Sequence, residues 1–198
     1  MAGAKRYHHG DLRAALIRAS AELIAEKGVE AFTLRAAAQR VGVSHAAPYR
    51  HFKDRDALLD AVAAQGFAAH VDSVRVAVEE RDDALERLRA QGEAYVRFAE
   101  ERPSHFRVMF GRTSSDPEAA GVASFSELLA RIDECQEARV IAAHDRLKVA
   151  GVLWCAVHGL AELSVSGAIE LVAEEGLPDF EKFLMDVVFR GLRPENAK

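Results

Sequence analysis

The feature that most constrains the fold is a pair of short helical patterns joined by a glycine within residues 33–52. Apolar residues recur at helical spacing over about two turns, at Leu34, Ala37, Ala38 and Val41. Thr33 precedes them as a suitable N-cap, and Gly42 follows them and permits the positive φ of a sharp turn. Ser44 can cap a third short helix over residues 45–52. The segment therefore predicts two short helices joined by a tight turn.

A longer helical pattern precedes this pair, over residues 11–27, and Gly28 provides a left-handed stop at its end. Pro48 removes one hydrogen bond from the third helix, for which we expect a loosened start and no break. Two short helices behind a longer one form a tri-helical helix-turn-helix, an arrangement that binds DNA. At this point the alternative is an ordinary helical hairpin, since glycine turns between helices are common.

The rest of the chain is also predicted to be helical, which makes the fold all-α with about nine helices and no strand. Apolar residues at helical spacing predict further helices over residues 55–81, 82–101, 104–110, 118–144, 145–174 and 179–190, with a polar loop at 111–117. We divide the chain into two domains. Residues 1–55 form a helix-turn-helix domain, which we call the head, and residues 56–198 form a helical body.

The charge of the chain changes sign between the same two regions. The net charge of −5 by itself argues against nucleic acid, yet residues 1–55 hold 10 Lys and Arg against 5 Asp and Glu, a net +5. Residues 56–198 hold the remaining 16 against 26, a net −10. A basic head on an acidic body is expected if only the head meets phosphate.

A flexible basic start over residues 1–10 adds to the positive charge of the head, through Lys5, Arg6, His8 and His9. Arms of this kind reach a neighbouring phosphate or the minor groove in other helix-turn-helix proteins. The alternative is a disordered tail.

Several classes of protein are disfavoured by what the sequence lacks. It contains no Gly-x-Ser-x-Gly, no phosphate-binding glycine loop and no Rossmann fingerprint, so we predict neither an enzyme nor a cofactor. Cys135 and Cys155 lack histidines at matched spacing, so we predict free reduced thiols and no metal site. The start has no apolar stretch, and the longest uncharged apolar run, 149–161, is shorter than a membrane span. We therefore expect a cytoplasmic protein without a membrane partner.

Residues 33–52 closely resemble the helix-turn-helix of the TetR family, most specifically in the Tyr-Arg-His-Phe stretch at 49–52 and in residues 53–59 after it. The Trp-His-Gly pattern within residues 153–160 resembles the body of one TetR subgroup, and residues 7–13 suit the same subgroup. Two departures stand out. Arg55 occupies a position where the family usually has Lys, and Pro48 one where a non-proline apolar residue is commoner.

The resemblance implies that the third helix enters the major groove of double-stranded DNA. Its first turn, His45, Ala46 and Ala47, would face base edges, where two alanines offer only methyl contacts to thymine. We therefore expect few direct base hydrogen bonds and a contribution from DNA shape. The groups suited to phosphate are Thr33, Arg35, Ser44, Tyr49, His51, Lys53 and Arg55, of which Tyr49, His51 and Arg55 are implied by the resemblance.

Some of these groups have a simpler interpretation. Tyr49 can lie partly buried against the first helix, and its ring and hydroxyl can then serve different purposes. Phe52 is predicted to be core. Arg35 and Arg40 are equally well explained as solvated charges on the second helix.

The middle of the body supplies material for a pocket that binds a small apolar or aromatic effector. The predicted lining residues are Phe67, Val71, Phe98, Phe106, Met109, Phe110, Phe125, Trp154 and His158. Trp154 and His158 stand one turn apart on one helix face and can offer a ring and a polar contact. The alternative is that all of these residues are plain core.

The last two helices are predicted to form a homodimer, because two heads on one rigid dimer read a palindromic operator. The final helix is apolar over a wide face, and Gly151, Gly159 and Gly167 recur every eight residues in the helix before it. The alternative is that both helices bury only the body's own core, but the resemblance implies a four-helix dimer interface.

The resemblance also implies a repressor that a small molecule releases from DNA. The alternative function is a helical binding or interaction protein, or an enzyme, without DNA binding.

Overall fold

A computed structural model describes residues 11–111, 117–171 and 176–194, and of residues 117–120 it describes the backbone alone. Within these ranges the chain forms eight α-helices and no strand, which confirms the all-α prediction. The helices are α1 (Leu12–Lys27), α2 (Leu34–Val41), α3 (Arg55–Glu79), α4 (Ala84–Glu101), α5 (Pro103–Phe110), α6 (Pro117–Glu137), α7 (Arg146–Ser166) and α8 (Leu177–Gly191). Two 3₁₀ segments, Pro48–Arg50 and Ala168–Leu171, complete the regular structure. The predicted basic start, 1–10, and residues 112–116 of the predicted loop lie outside the described residues.

Aspartates set the beginnings of four helices. The side chains of Asp11, Asp54, Asp83 and Asp145 each accept a hydrogen bond from a backbone N–H in the first turn of the helix that follows, at 2.8–3.2 Å. Thr33 caps α2 in the same way and accepts from the Ala36 N–H at 3.1 Å. Each cap satisfies a backbone donor that has no partner inside the helix, so these residues determine locally where the helices begin.

The third helix of the head is a correction to the sequence analysis. Residues 44–52, which we call the 44–52 segment, contain turns and a 3₁₀ segment and no α-helix. The Ala47 N–H donates to the Ser44 carbonyl at 2.9 Å and the His51 N–H to the Pro48 carbonyl at 2.9 Å, both with i→i+3 spacing. Pro48 is buried and has no N–H, so the segment is tightened along its length, whereas we had expected only a loosened start.

The two long helices predicted in the body are also shorter than expected. The helix predicted over 145–174 ends at Ser166, because Gly167 takes the left-handed conformation with φ +77°. The helix predicted over 118–144 ends at Glu137, and Ile141 then turns inward and is 2% exposed. The register of apolar residues continues across both stops, so periodicity alone does not reveal them.

Two apolar cores share α4 and α5. The first joins α1, α2 and Phe52 to the start of α3, through residues such as Leu16 and Leu58. The second lies between α4, α6, α7 and α8. Met109 of α5 belongs to the first core and Phe106 to the second. The short helix α5 therefore links the head to the body.

Candidate functional site

The 44–52 segment forms an exposed polar surface on the head. Pro48 and Phe52 point into the core, and Phe52 is 4% exposed, as predicted. Between them Tyr49 is 62% exposed. The other predicted base-facing and phosphate-facing residues of this surface are exposed or, for Ala47, half-buried: Thr33, Arg35, Ser44, His45, Ala46, His51 and Lys53. These predicted residues are therefore accessible on the head, and their contact with DNA stays a prediction.

The cationic side chains of the head differ in whether they already form ion pairs within the chain. Arg40 donates to Glu26 at 2.5 and 2.9 Å and to Glu22 at 3.4 Å, and its hydrogen bonds hold the pKa of Glu26 below its ordinary value. Within the described ranges Arg35 and Arg50 form no ion pair. Arg50 was missed as a candidate, although it stands in the Tyr-Arg-His-Phe stretch directly after Tyr49 and is exposed.

Arg55 is engaged by backbone groups of the head. Its Nε donates to the Phe32 carbonyl at 3.0 Å, and its Nη2 donates to the Val29 carbonyl at 2.6 Å. Its Nη1 lies 3.5 Å from an Asp56 oxygen. The side chain thus ties the start of α3 to the turn between α1 and α2, and contact with phosphate stays a prediction.

The body contains a cavity of about 670 Å³ between α3, α4, α6 and α7. Several predicted residues contribute to its wall: Phe67, Met109, Phe110, Phe125 and Trp154. Further apolar wall residues were not predicted, namely Leu88, Val122, Leu128, Leu153, Val157 and Met185. Among the described wall residues none carries a charge. A cavity of this size and lining is typical of a site for a small apolar molecule.

The remaining predicted residues lie elsewhere. Phe98 and Phe106 are buried in the first and second cores, and Val71 is half-buried outside the described wall. His158 also lies outside it, and its Nδ1 pairs at 2.8 Å with the hydroxyl of Tyr95, which is a wall residue. The Trp154 Nε1–H donates to the same hydroxyl at 3.4 Å. These hydrogen bonds orient the Trp154 side chain at the cavity wall. Contact between a ligand and the residues proposed from the sequence stays a prediction.

The polar groups of the cavity were missed by sequence reasoning. His70 and Gln91 both line it and are 3% and 7% exposed. The His70 Nδ1 pairs with the Ser124 hydroxyl at 3.0 Å, and burial lowers the pKa of His70 to about 4. His70 Nε2 and Gln91 Oε1 have no hydrogen-bond partner among the described residues. The available signal was their position: each follows an apolar residue, Phe67 or Leu88, at i+3 on the inward face of its helix.

The outer face of α7 and α8 is apolar and exposed. On α7 it carries Val152, Cys155, Gly159 and Leu163 at helical spacing, and on α8 Phe183 and Val187. A Cβ placed at Gly151 or Gly159 would meet no atom within 4 Å, so these glycines are not required by contacts inside this chain. Gly167 instead ends α7, which corrects its predicted role in helix contact.

By length and composition α7 can also cross a membrane. Its most apolar stretch has a mean hydropathy of 1.5, and 33% of that stretch is buried inside the protein. Core helices of proteins without membrane spans pass the same test. The predicted absence of a membrane partner therefore stays a prediction. In the described ranges, no three His, Cys, Asp or Glu side chains group as metal ligands do.

Two family models match the chain. The model described as "Bacterial regulatory proteins, tetR family" matches residues 16–62, which include most of α1, all of α2 and the 44–52 segment. The model described as "Tetracyclin repressor-like, C-terminal domain" matches residues 88–186, half of the chain. The Trp-His-Gly subgroup is a finer assignment and stays a prediction.

Known proteins and a solved structure are similar to the chain. A protein of unknown function from Rhodococcus sp. RHA1 is 34% identical, with a TM-score of 0.85 over 96% of this chain and 100% of that one. The nucleoid occlusion factor SlmA of Vibrio vulnificus is 31% identical over 56% of each chain. The tetracycline repressor protein class C of Escherichia coli is 49% identical over 26% of this chain and 23% of its own. The match spans about half or less of the length of these curated relatives.

Proposed function

Because the chain belongs to the TetR family of bacterial regulatory proteins, we propose that it is a DNA-binding transcriptional regulator whose operator affinity is controlled by a small molecule in the body. The observation that carries this proposal is the exposed surface of the 44–52 segment inside the region that the family model matches. We further propose that it acts as a repressor in the cytoplasm and has no enzymatic activity.

Phosphates supply most of the DNA affinity in this proposal. Arg35, Arg50 and Lys53 are exposed on the head, and the exposed Tyr49 offers a hydroxyl. The base-facing residues His45 and Ala46 offer one imidazole and one methyl, which can discriminate only weakly between bases. Sequence preference then comes from DNA shape and from the spacing of two heads on a palindromic operator.

A homodimer through α7 and α8 supplies the second head. Phe183 and Val187 are 63% and 48% exposed one turn apart on α8, and Val152 is 51% exposed on α7. Burying an exposed apolar side chain of this size contributes about 1.5–3 kcal/mol. A second copy of the chain covers this face and explains why α7 keeps glycines that meet nothing inside one protomer.

The cavity is connected to the head through two wall residues. Phe67 and Met109 line the cavity and also belong to the core that contains α1 and α2. A ligand that displaces them therefore moves atoms on which the head packs. Coupling of this kind changes operator affinity by a free energy of about 1–3 kcal/mol in typical cases.

DNA binding is tested with fluorescence anisotropy on a duplex from the region upstream of the gene, beside a duplex of unrelated sequence. We expect Tyr49→Ala and Arg50→Ala to weaken binding to both duplexes, and Arg50→Ala to reduce the salt slope by about one. Arg75→Ala removes the same charge from an exposed position on α3 and is the matched control. Unchanged affinity and salt slope in both head variants would rule out this surface as the DNA interface.

The dimer is tested by sedimentation equilibrium. We expect Phe183→Glu to shift the protein towards the monomer, because a carboxylate would be buried without a partner at the interface. Val76→Glu is the matched control, since Val76 is 69% exposed on α3. A monomeric wild-type chain, or a dimer that Phe183→Glu leaves intact, contradicts the assigned interface.

A further inference from the structure

The polar atoms inside the cavity restrict what kind of molecule it can receive. Resting on the proposed function, we propose that the effector is an uncharged molecule with an apolar body and one hydroxyl group that hydrogen-bonds to both Gln91 and His70. The apolar body is received by the aromatic wall, and the hydroxyl is received at the α3–α4 side of the cavity.

Gln91 provides the first requirement. Gln91 lines the cavity, and its Oε1 is a buried acceptor with no donor within hydrogen-bond reach in the part of the chain that the structure describes. A buried acceptor without a donor costs about 1–3 kcal/mol. A ligand that places a donor there recovers this free energy, whereas a ligand that has only acceptors does not.

His70 provides the second requirement. Its ring is held between the Tyr95 and Phe98 rings at centroid distances of 5.1 and 5.4 Å, and its Nδ1 pairs with Ser124. Because burial holds its pKa at about 4, the ring is neutral at pH 7. Its Nε2 donates or accepts according to the tautomer that Ser124 selects. A hydroxyl that donates to Gln91 Oε1 can only accept from His70, so it fits the tautomer in which Ser124 donates to Nδ1 and Nε2 carries the proton.

The electrostatics of the cavity disfavour an anion. The described wall contains no Lys or Arg, and the neutral His70 supplies no positive charge. A carboxylate would also direct two acceptor oxygens at Gln91 Oε1, which is an acceptor itself. Fatty-acid anions and other carboxylates therefore lose their hydration without a cationic partner in the described wall.

The proposal is tested with a matched series of 1-decanol, methyl decanoate and sodium decanoate at pH 7.4. Trp154 is the single tryptophan of the chain and lines the cavity, so its fluorescence reports binding to the full-length protein. We expect 1-decanol to bind about tenfold more tightly than methyl decanoate, which lacks the donor, and more tightly still than decanoate. Equal or tighter binding of decanoate, or no response to any of the three, overturns the proposal.

Two variants locate the selectivity. Gln91→Leu removes the acceptor, and we expect the preference of 1-decanol over methyl decanoate to fall from about tenfold to about twofold or less. Gln65→Leu makes the same change at an exposed position of α3 outside the described wall and should leave the preference unchanged. A preference that survives Gln91→Leu shows that another group recognises the alcohol. Operator anisotropy without any probe tests the proposed function separately, so a failure of the ligand class leaves DNA binding standing.

Discussion

The head and the body differ in whether particular buried polar groups have hydrogen-bond partners. In the head, the buried Ser20 hydroxyl donates to the Leu16 carbonyl at 2.6 Å, and Arg55 donates to two backbone carbonyls. In the body, His70 Nε2 and Gln91 Oε1 are buried without a partner among the described residues. Satisfied polar groups favour one conformation, whereas an unsatisfied pair becomes stable only when a ligand completes it. Under the proposed function, the head then presents a fixed surface and the body responds to a bound molecule.

The largest expected change in the free energy of unfolding tests whether the core of the head is packed more closely than the wall of the cavity. Leu16→Ala should lower the free energy of unfolding by about 3 kcal/mol, because Leu16 is fully buried and its truncation leaves an enclosed void. Leu153→Ala should cost about 2 kcal/mol or less, because Leu153 borders a cavity that already exists. Urea denaturation measures both, and equal losses would contradict the difference between the two regions.

The next effect separates two roles of Arg55. Arg55→Met should lower the free energy of unfolding by about 2 kcal/mol, since it removes the donors to the Phe32 and Val29 carbonyls. Lys53→Met is the control and should cost less than about 0.5 kcal/mol, because Lys53 is exposed. If Arg55→Met unfolds like the wild type and only reduces the salt slope of DNA binding, Arg55 serves phosphate and not the fold of the head.

A third effect lies at the junction of the two regions, where α5 packs against α3. A Cβ at Gly66 would lie 2.6 Å from Met109 Sδ and 3.2 Å from His105 Cβ. Gly66→Ala should therefore cost about 1–2 kcal/mol in thermal unfolding and weaken ligand control of DNA binding, although helix propensity alone favours alanine by about 1 kcal/mol. Ala64→Ser, at an exposed position on the same helix, is the control. A stabilised Gly66→Ala would mean that α5 can move away freely.

The smallest effect belongs to the body and depends on pH. Burial raises the pKa of Glu181 from 4.5 to about 7, and Glu93 and Glu100 add to the rise while Arg97 opposes it. A raised carboxyl pKa stabilises the fold below about pH 4.5, and this contribution is lost as the pH rises through about 7.

Glu181→Gln should remove this dependence and make the protein more stable than the wild type by about 1 kcal/mol at pH 8. Denaturation at pH 5 and pH 8 measures the difference. The same stability gap between variant and wild type at both pH values would show that Glu181 ionises as an ordinary surface carboxylate.

Much of the head could be predicted from sequence because its signals are local. Thr33 and Gly42 act through backbone groups within a few residues, and the structure has the N-cap and the left-handed turn at these positions. The exact form of the third helix could not be predicted, because Pro48 permits both a loosened α-helix and a 3₁₀ segment. The burial of Pro48 and Phe52 in the core accompanies the second of these.

The cavity could be predicted only in part. Aromatic residues indicated that a pocket could exist, but Phe98 and Phe106 point into cores while Phe67 and Phe110 line the wall. All four are apolar residues on helical stripes, and a stripe does not distinguish a wall from a core. The residues that each ring contacts depend on the distances between the packed helices.

The amino-acid sequence by itself determined the helices, most of their beginnings, the glycine turn of the head and the separation of charge between head and body, because these depend on residues close together in the chain. Only the tertiary structure decided that Arg55 binds the turn between α1 and α2, and that His70 and Gln91 meet at one cavity. These contacts join residues about 20 or more positions apart. Their formation depends on the packing of whole helices, which no local pattern encodes.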